Sequence, residues 1–178
     1  LYSQFNSRED IWCERVFAPW IDFEEVMKRE NIPLFALESR DALSDFDIIG
    51  FTLQYELSYT NVLNMLELGG VPLRAEQRTG LSPLVVAGGP CTCNPEPLAD
   101  FIDIFFLGEG EESDLEVIEL YRKFRDSGGS KEDFLREAAK IKGVYVPSLY
   151  NVSYNADGTV AEVSACGGAP ATVKKRIC

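Results

Sequence analysis

The residues best able to do chemistry cluster beside two glycine turns. Gly88-Gly89-Pro90 runs directly into Cys91-Thr92-Cys93, and Gly108-Glu109-Gly110 into Glu111 and Glu112. Two thiols two residues apart are half of a metal site, but zinc needs four ligands, and the chain holds no histidine and no second cysteine pair to complete them. Three-cysteine iron–sulfur spacing is also missing, so Cys91 and Cys93 read as loop residues. The glycines invite a phosphate instead. A P-loop would follow them with Lys-Ser or Lys-Thr, and a dinucleotide fingerprint would need a third glycine where Ser113 stands. Glu109, Glu111 and Glu112 would moreover repel a pyrophosphate. A phosphoacceptor domain would end its third buried strand on an aspartate, but Thr52 and Gln54 hold that place and Asp47 lies at the other end. Glu56, Glu109 or Glu111 could act as acid or base in a small α/β enzyme, yet none has a clear partner.

What survives is a ligand-sized edge. Backbone amides at Gly88 and Gly89, the polar side chains of Thr52 and Gln54, and the carboxylates of Glu109 and Glu111 suit a large, flat, amide-rich ligand. Tyr55, Glu56 and Tyr59 could reach it. The plainer alternative is that the glycines only make turns and that Glu111 and Glu112 only favour a helix N-terminus.

These residues are positioned by short apolar runs. Phe46 to Leu53, Leu84 to Ala87 and Ile102 to Leu107 are continuous rather than alternating, as strands covered on both faces are, and this is the habit of parallel sheets flanked by helices. Both glycine turns should then open on the carboxyl edge of the sheet, where ligands bind in such folds. Helices are predicted at the end of Leu1 to Arg8, after a capping box at Asp22 and Glu25, over Ser58 or Tyr59 to Leu68, over Asp114 to Arg125 behind a capping box of Ser113 and Glu116, and from Ser130 to Lys142. Asn94 to Asp100 permits only a short helix. Trp12 to Trp20 reads as strand-like and Leu34 to Leu37 as a short edge strand or an extended segment. Val144 to Val146, Leu149 to Tyr154 and Thr159 to Val163 change to period two and suggest a small antiparallel hairpin. Gly167 to Arg176 reads as a linker.

The totals set the class. A chain of 178 residues, 46% hydrophobic, can fill one domain and an appendage. With 17 basic against 29 acidic residues and a net charge of -12, a nucleic-acid surface is not expected. The absence of histidine removes histidine-based catalysis and ligation. Cys13, Cys91, Cys93, Cys166 and Cys178 are an odd, scattered set, read as reduced thiols of a cytoplasmic protein, and no run approaches a membrane span.

At this point the residues resemble a known family. DFDIIGFTLQYELSYTNVLNML, PLVVAGGPCTCNPEPLADFIDIFFLGEGEE, GVYVPSLY and VKKRI, together with ERVFAPW, resemble the N-terminal cobalamin (B12)-binding-type region of B12-binding-domain radical SAM proteins. The resemblance covers nearly the whole chain. It implies a flavodoxin-like, doubly wound, mainly parallel sheet in three α/β/α layers over residues 1–143, with a hairpin and linker over 144–178 leading toward a barrel that binds a 4Fe-4S cluster and S-adenosylmethionine. It implies cobalamin over Thr52, Gln54 and Tyr55, over Gly88, Gly89 and Pro90, and over Gly108, Glu109, Gly110 and Glu111, with the radical SAM domain as partner in cis. No catalytic residue and no metal ligand is implied within these residues. Without a histidine, no imidazole from the chain could reach cobalt. The cluster-binding Cys-x-x-x-Cys-x-x-Cys is absent, and the first strand of the fold is expected upstream of Leu1. A domain that keeps the fold, lacks the corrin and docks the barrel or another protein is the second reading.

Overall fold

A computed structural model of the chain describes residues 1 to 177, so Cys178 lies outside the described residues. The three apolar runs form β1 (Ile48–Thr52), β2 (Leu84–Gly88) and β3 (Ile104–Phe106), parallel and in that order, and β4 (Val144–Tyr145) joins antiparallel to β3. The pleat sorts their side chains. Leu84, Val86, Ile104 and Phe106 enter one core, while Ile49, Phe51, Val85, Ala87 and Phe105 enter the other. Burying each such side chain contributes about 1.5–3 kcal/mol, so both faces must be covered.

Helices supply the cover. After the short α1 (Tyr2–Asn6), Met27 of α2 (Ile21–Glu30) and Val62, Met65 and Leu66 of α3 (Tyr59–Leu68) pack on the first-named core's opposite face. Val117 and Tyr121 of α4 (Gly110–Ser127) and Phe134, Leu135 and Ala138 of α5 (Lys131–Ala138) close the other. The result is the expected α/β/α arrangement. Asn31 and Gly128 end α2 and α4 in left-handed conformation. Ser130 opens α5 by accepting the Asp133 N–H at 3.1 Å. Between β2 and β3, the prolines leave only two 3₁₀ turns, Pro90–Cys93 and Glu96–Leu98.

A buried charged cluster holds the amino edge of the sheet. Asp103, just before β3, accepts Lys131 Nζ at 2.8 Å, Arg78 Nη2 at 3.0 Å and the Val85 N–H at 2.8 Å. Arg78 also donates to the carbonyls of Pro72, Leu73 and Phe101. Burial pushes the Lys131 pKa down, against the upward pull of the Asp103 carboxylate.

Several local expectations are corrected. Trp12 to Trp20 forms no strand; it is an extended arm tied to the 37–39 loop through Arg15 and Glu14, with Trp12, Phe17 and Trp20 exposed. Strand-forming side chains need a paired neighbour, and this arm has only isolated contacts. Leu34 to Leu37 contributes one antiparallel bridge, Phe35 to Ala42. Neither proposed capping box operates: α2 starts at Ile21 with Asp22 inside its first turn, and α4 starts at Gly110, which places Ser113 within the helix, buried. The last predicted helix stops at Ala138 rather than Lys142. Val144 pairs with Phe106 in the main sheet, so the hairpin consists of β5 (Tyr150–Tyr154) and β6 (Val160–Ala165) alone. The tail is no solvated linker: it returns to the sheet at Arg176. No helix among the described residues is long and apolar enough to cross a membrane.

Candidate functional site

The carboxyl ends of the parallel strands bring the candidate residues to one edge. Thr52 and Gly88 are register partners, and the Leu53 N–H donates to the Gly88 carbonyl at 2.7 Å. Beyond them Gln54 and Tyr55 lie exposed, and the Ser58 hydroxyl caps the turn by donating to the Tyr55 carbonyl at 2.8 Å. Gly89 has φ 106°, and a Cβ there would stand 2.7 Å from the Leu53 carbonyl oxygen. Its bareness is therefore required by the protein's own backbone. Pro90 then starts the 3₁₀ turn, and the Cys91 N–H returns to the Leu53 carbonyl at 3.1 Å.

Gly88 differs from its neighbour. The nearest atom to a Cβ at this position would be Phe106 Cβ at 3.9 Å, an ordinary van der Waals distance, so the chain itself does not require a bare Cα here. Together with exposed Thr52, Gln54, Tyr55 and Pro90, it leaves an open shelf above β1 and β2.

The end of β3 is built differently. Gly108, at φ 102°, is crossed by the tail: the Arg176 N–H donates to the Leu107 carbonyl at 2.8 Å, and the Glu109 N–H to the Arg176 carbonyl at 3.0 Å. A side chain on Gly108 would overlap that carbonyl. The Arg176 guanidinium bonds Glu112 at 2.6 Å and Glu116 at 2.8 Å, and these carboxylates raise its already high pKa. Gly110 is the first residue of α4, and the Glu111 carbonyl accepts Gln4 Nε2 at 2.8 Å. Thus Gly108, Glu109, Gly110 and Glu111 share the edge with the other candidates but sit under the tail and against α1.

Three functional-looking residues escaped the sequence reading. Thr92 is buried and its hydroxyl bridges Gly89 and Phe106, at 2.8 and 2.9 Å from their carbonyl oxygens, which fixes the Gly88-Gly89-Pro90 turn to β3. Arg176 was hidden in a basic tail. Asp114 looked like an ordinary first-turn acid, yet its Oδ1 is buried without a hydrogen-bond partner, and burial, aided by the charge of Glu111, pushes its pKa up to about 7. Burial and the charge of Glu56 push the Cys91 thiol up, against the downward pull of its hydrogen bond with Tyr59, which makes it less suited to ligate metal as a thiolate. Among the described residues, no three or more histidine, cysteine, aspartate or glutamate side chains are grouped to hold a metal ion.

The Asp114 carboxyl gives a pH signature. Its proton is held in the folded protein while the unfolded chain releases it near pH 3.8, so this group lowers stability progressively from about pH 4 to pH 7. Asp114→Asn should unfold with the parent protein at pH 4 and be more stable at pH 8 by about 2 kcal/mol, less than full linkage would give because the carboxyl is not wholly sealed. Urea melts at the two pH values measure this, and an equal difference at both would refute it.

The chain belongs to the family described as radical SAM proteins, N-terminal, whose pattern matches residues 1–147. It is 34% identical over 138 residues to an uncharacterised protein of Methanocaldococcus jannaschii, covering 77% of this chain and 29% of that protein. The chain thus spans under a third of that relative's length. No solved structure matches it.

Proposed function

We propose that the chain is the cobalamin-holding module of a radical SAM enzyme, with residues 1–143 as the corrin domain and 144–178 leading toward a catalytic barrel that carries the 4Fe-4S cluster and S-adenosylmethionine. The observation that carries the reading is Gly88: a glycine on the carboxyl edge, beside exposed Thr52 and Gln54, whose lack of a side chain no close contact within the chain demands. Exposed Thr52, Gln54 and Tyr55 would face the rim of the ring system, Gly88, Gly89 and Pro90 would form its floor, and Gly108 to Glu111 would form the far wall. Glu109 and Glu111 would accept hydrogen bonds from peripheral amides. Cobalamin, when bound, would supply a carrier for a methyl group or radical, and this chain, having no histidine, would leave the lower face of cobalt without a protein imidazole.

The test is uptake. The purified domain mixed with hydroxocobalamin at micromolar concentration and gel-filtered should elute with corrin absorbance, and Gly88→Val should abolish that absorbance while leaving the urea midpoint nearly unchanged. A corrin-free protein peak from the parent sequence would sink the proposal.

The second reading is an interaction domain that has no corrin and docks the barrel. It is favoured by Gly108, whose bare Cα is used by the tail rather than left open. The same gel filtration separates the two.

A further inference from the structure

The hairpin is amphipathic, and its apolar face is covered only at its base, where Tyr150 packs on Tyr145 with ring centroids 4.9 Å apart and donates its hydroxyl to the Pro170 carbonyl at 2.7 Å. Register places Val152 opposite Val163 and Tyr150 opposite Ala165 on that face, with Tyr154 following on β5, while Asn151, Ser153, Glu162 and Ser164 share the other; the register shifts between Ser153 and Tyr154, so Val160 falls outside this alternation. An apolar/polar split of this kind is how a sheet is written when one face is to be packed. Yet Tyr154 is 65% exposed and Val163 52%. An isolated two-stranded hairpin is marginally stable, which makes an uncovered apolar face a binding surface in want of a partner.

That face borders a cleft of about 950 Å³, where Tyr150, Val152 and Tyr154 share the lining with Tyr145, Pro147 and Leu135 and with charged residues that include Glu96, Lys131 and Glu132. A smaller hollow of about 230 Å³ adjoins the same face, lined by Val163, Leu107 and Val173. Val173 lies three residues before Arg176, where the tail crosses Leu107 and Gly108. The polypeptide therefore passes the hairpin immediately before residue 177. The relative from Methanocaldococcus jannaschii is more than three times the matched length, so in a protein of that size a large body of chain lies outside these residues.

We infer that the apolar hairpin face and the cleft beside it are the docking surface for the catalytic domain in cis, which lays apolar side chains on Val152, Tyr154 and Val163. The inference rests on the reading that a radical SAM domain shares the polypeptide, but not on corrin binding. Burying Tyr154 and Val163 would convert a marginal hairpin into the fixed junction between the two domains. It would also set the orientation of the catalytic domain relative to the carboxyl edge, because the tail that leaves the hairpin is itself fastened to β3.

The full-length protein tests this by photo-crosslinking. With Tyr154→p-benzoylphenylalanine, irradiation should give an intramolecular adduct to residues beyond 178, and the same probe at Ser153, on the polar face, should give none. Adducts between two copies would identify a homodimer surface, adducts confined to residues 1–177 would mean that the cleft closes on its own domain, and absence of adducts, or equal yield from both faces, would mean no docking; each of these results overturns the inference. Iron and acid-labile sulfide are assayed on the same preparation, so a missing cluster is registered separately from a missing contact.

Discussion

Asp103→Ala is expected to cost about 3–5 kcal/mol, because it removes the anion from a site that keeps two cations. The side chains of Arg78 and Asp103 are 1% exposed and that of Lys131 is 9% exposed. The loss would fall on three places together: the Arg78 guanidinium that ties the carbonyls of Pro72 and Leu73 to that of Phe101, the Lys131 ammonium at the start of α5, and the Val85 N–H at the centre of the sheet. Lys131 would respond first. Its pKa is already lowered by burial, and without Asp103 it would fall further, so the ammonium would tend to shed its proton. A small domain has roughly 5–15 kcal/mol of stability in all, and the variant should show a urea midpoint moved far down with an unchanged slope. Asp103→Asn keeps an acceptor for Val85 and should lose less. A loss below about 1 kcal/mol for the alanine variant would mean that the cluster does not secure the amino edge.

Gly89→Ala is the second large effect, expected to cost about 3 kcal/mol or more. With φ 106° and ψ 178°, the residue sits in a region that only glycine occupies comfortably. The Cβ would also press on Leu53, at 2.7 Å from its oxygen and 3.0 Å from its nitrogen. Leu53 cannot yield, since its N–H is bonded to Gly88 and its carbonyl to Cys91. Either β1 and β2 part at their carboxyl ends or the Pro90–Cys93 turn lifts away. Amide exchange at Leu53 and Cys91 would rise before that at Val85, which lies further along the strand. Uniform loss of protection would instead mean global destabilisation without a local opening.

The central strands were legible because burial on both faces leaves a signature in the letters themselves, LVVAG and IFF; IIGFT was recognised as a strand too, but it lies at the sheet edge and is buried only at alternate positions, Ile49 and Phe51. The carboxyl-edge location of the glycine turns followed from the same runs. What the letters could not supply was pairing across distance. Arg78 stood in a stretch that looked like a polar connection, and its burial follows from Asp103 and Lys131, which are remote in sequence. Val144 and Tyr145 look like hairpin residues by period and belong to the main sheet by contact. The aromatic arm from Trp12 to Trp20 has the composition of a strand and lacks a partner to pair with. At the site itself, exposure of Thr52, Gln54 and Tyr55 beside Gly88 was foreseeable from strand ends, whereas the tail lying over Gly108 required knowing where Arg176 finds two carboxylates.

The four strands stand in space in the order in which they occur in the sequence. Within these residues a ribosome would therefore present β2, β3 and β4 each to a strand already made. The crossing of Gly108 by Arg176 closes only after the hairpin has emerged. Assembly would thus run from core to clasp, and the carboxyl edge above β3 would be accessible to solvent throughout synthesis until that final segment settles.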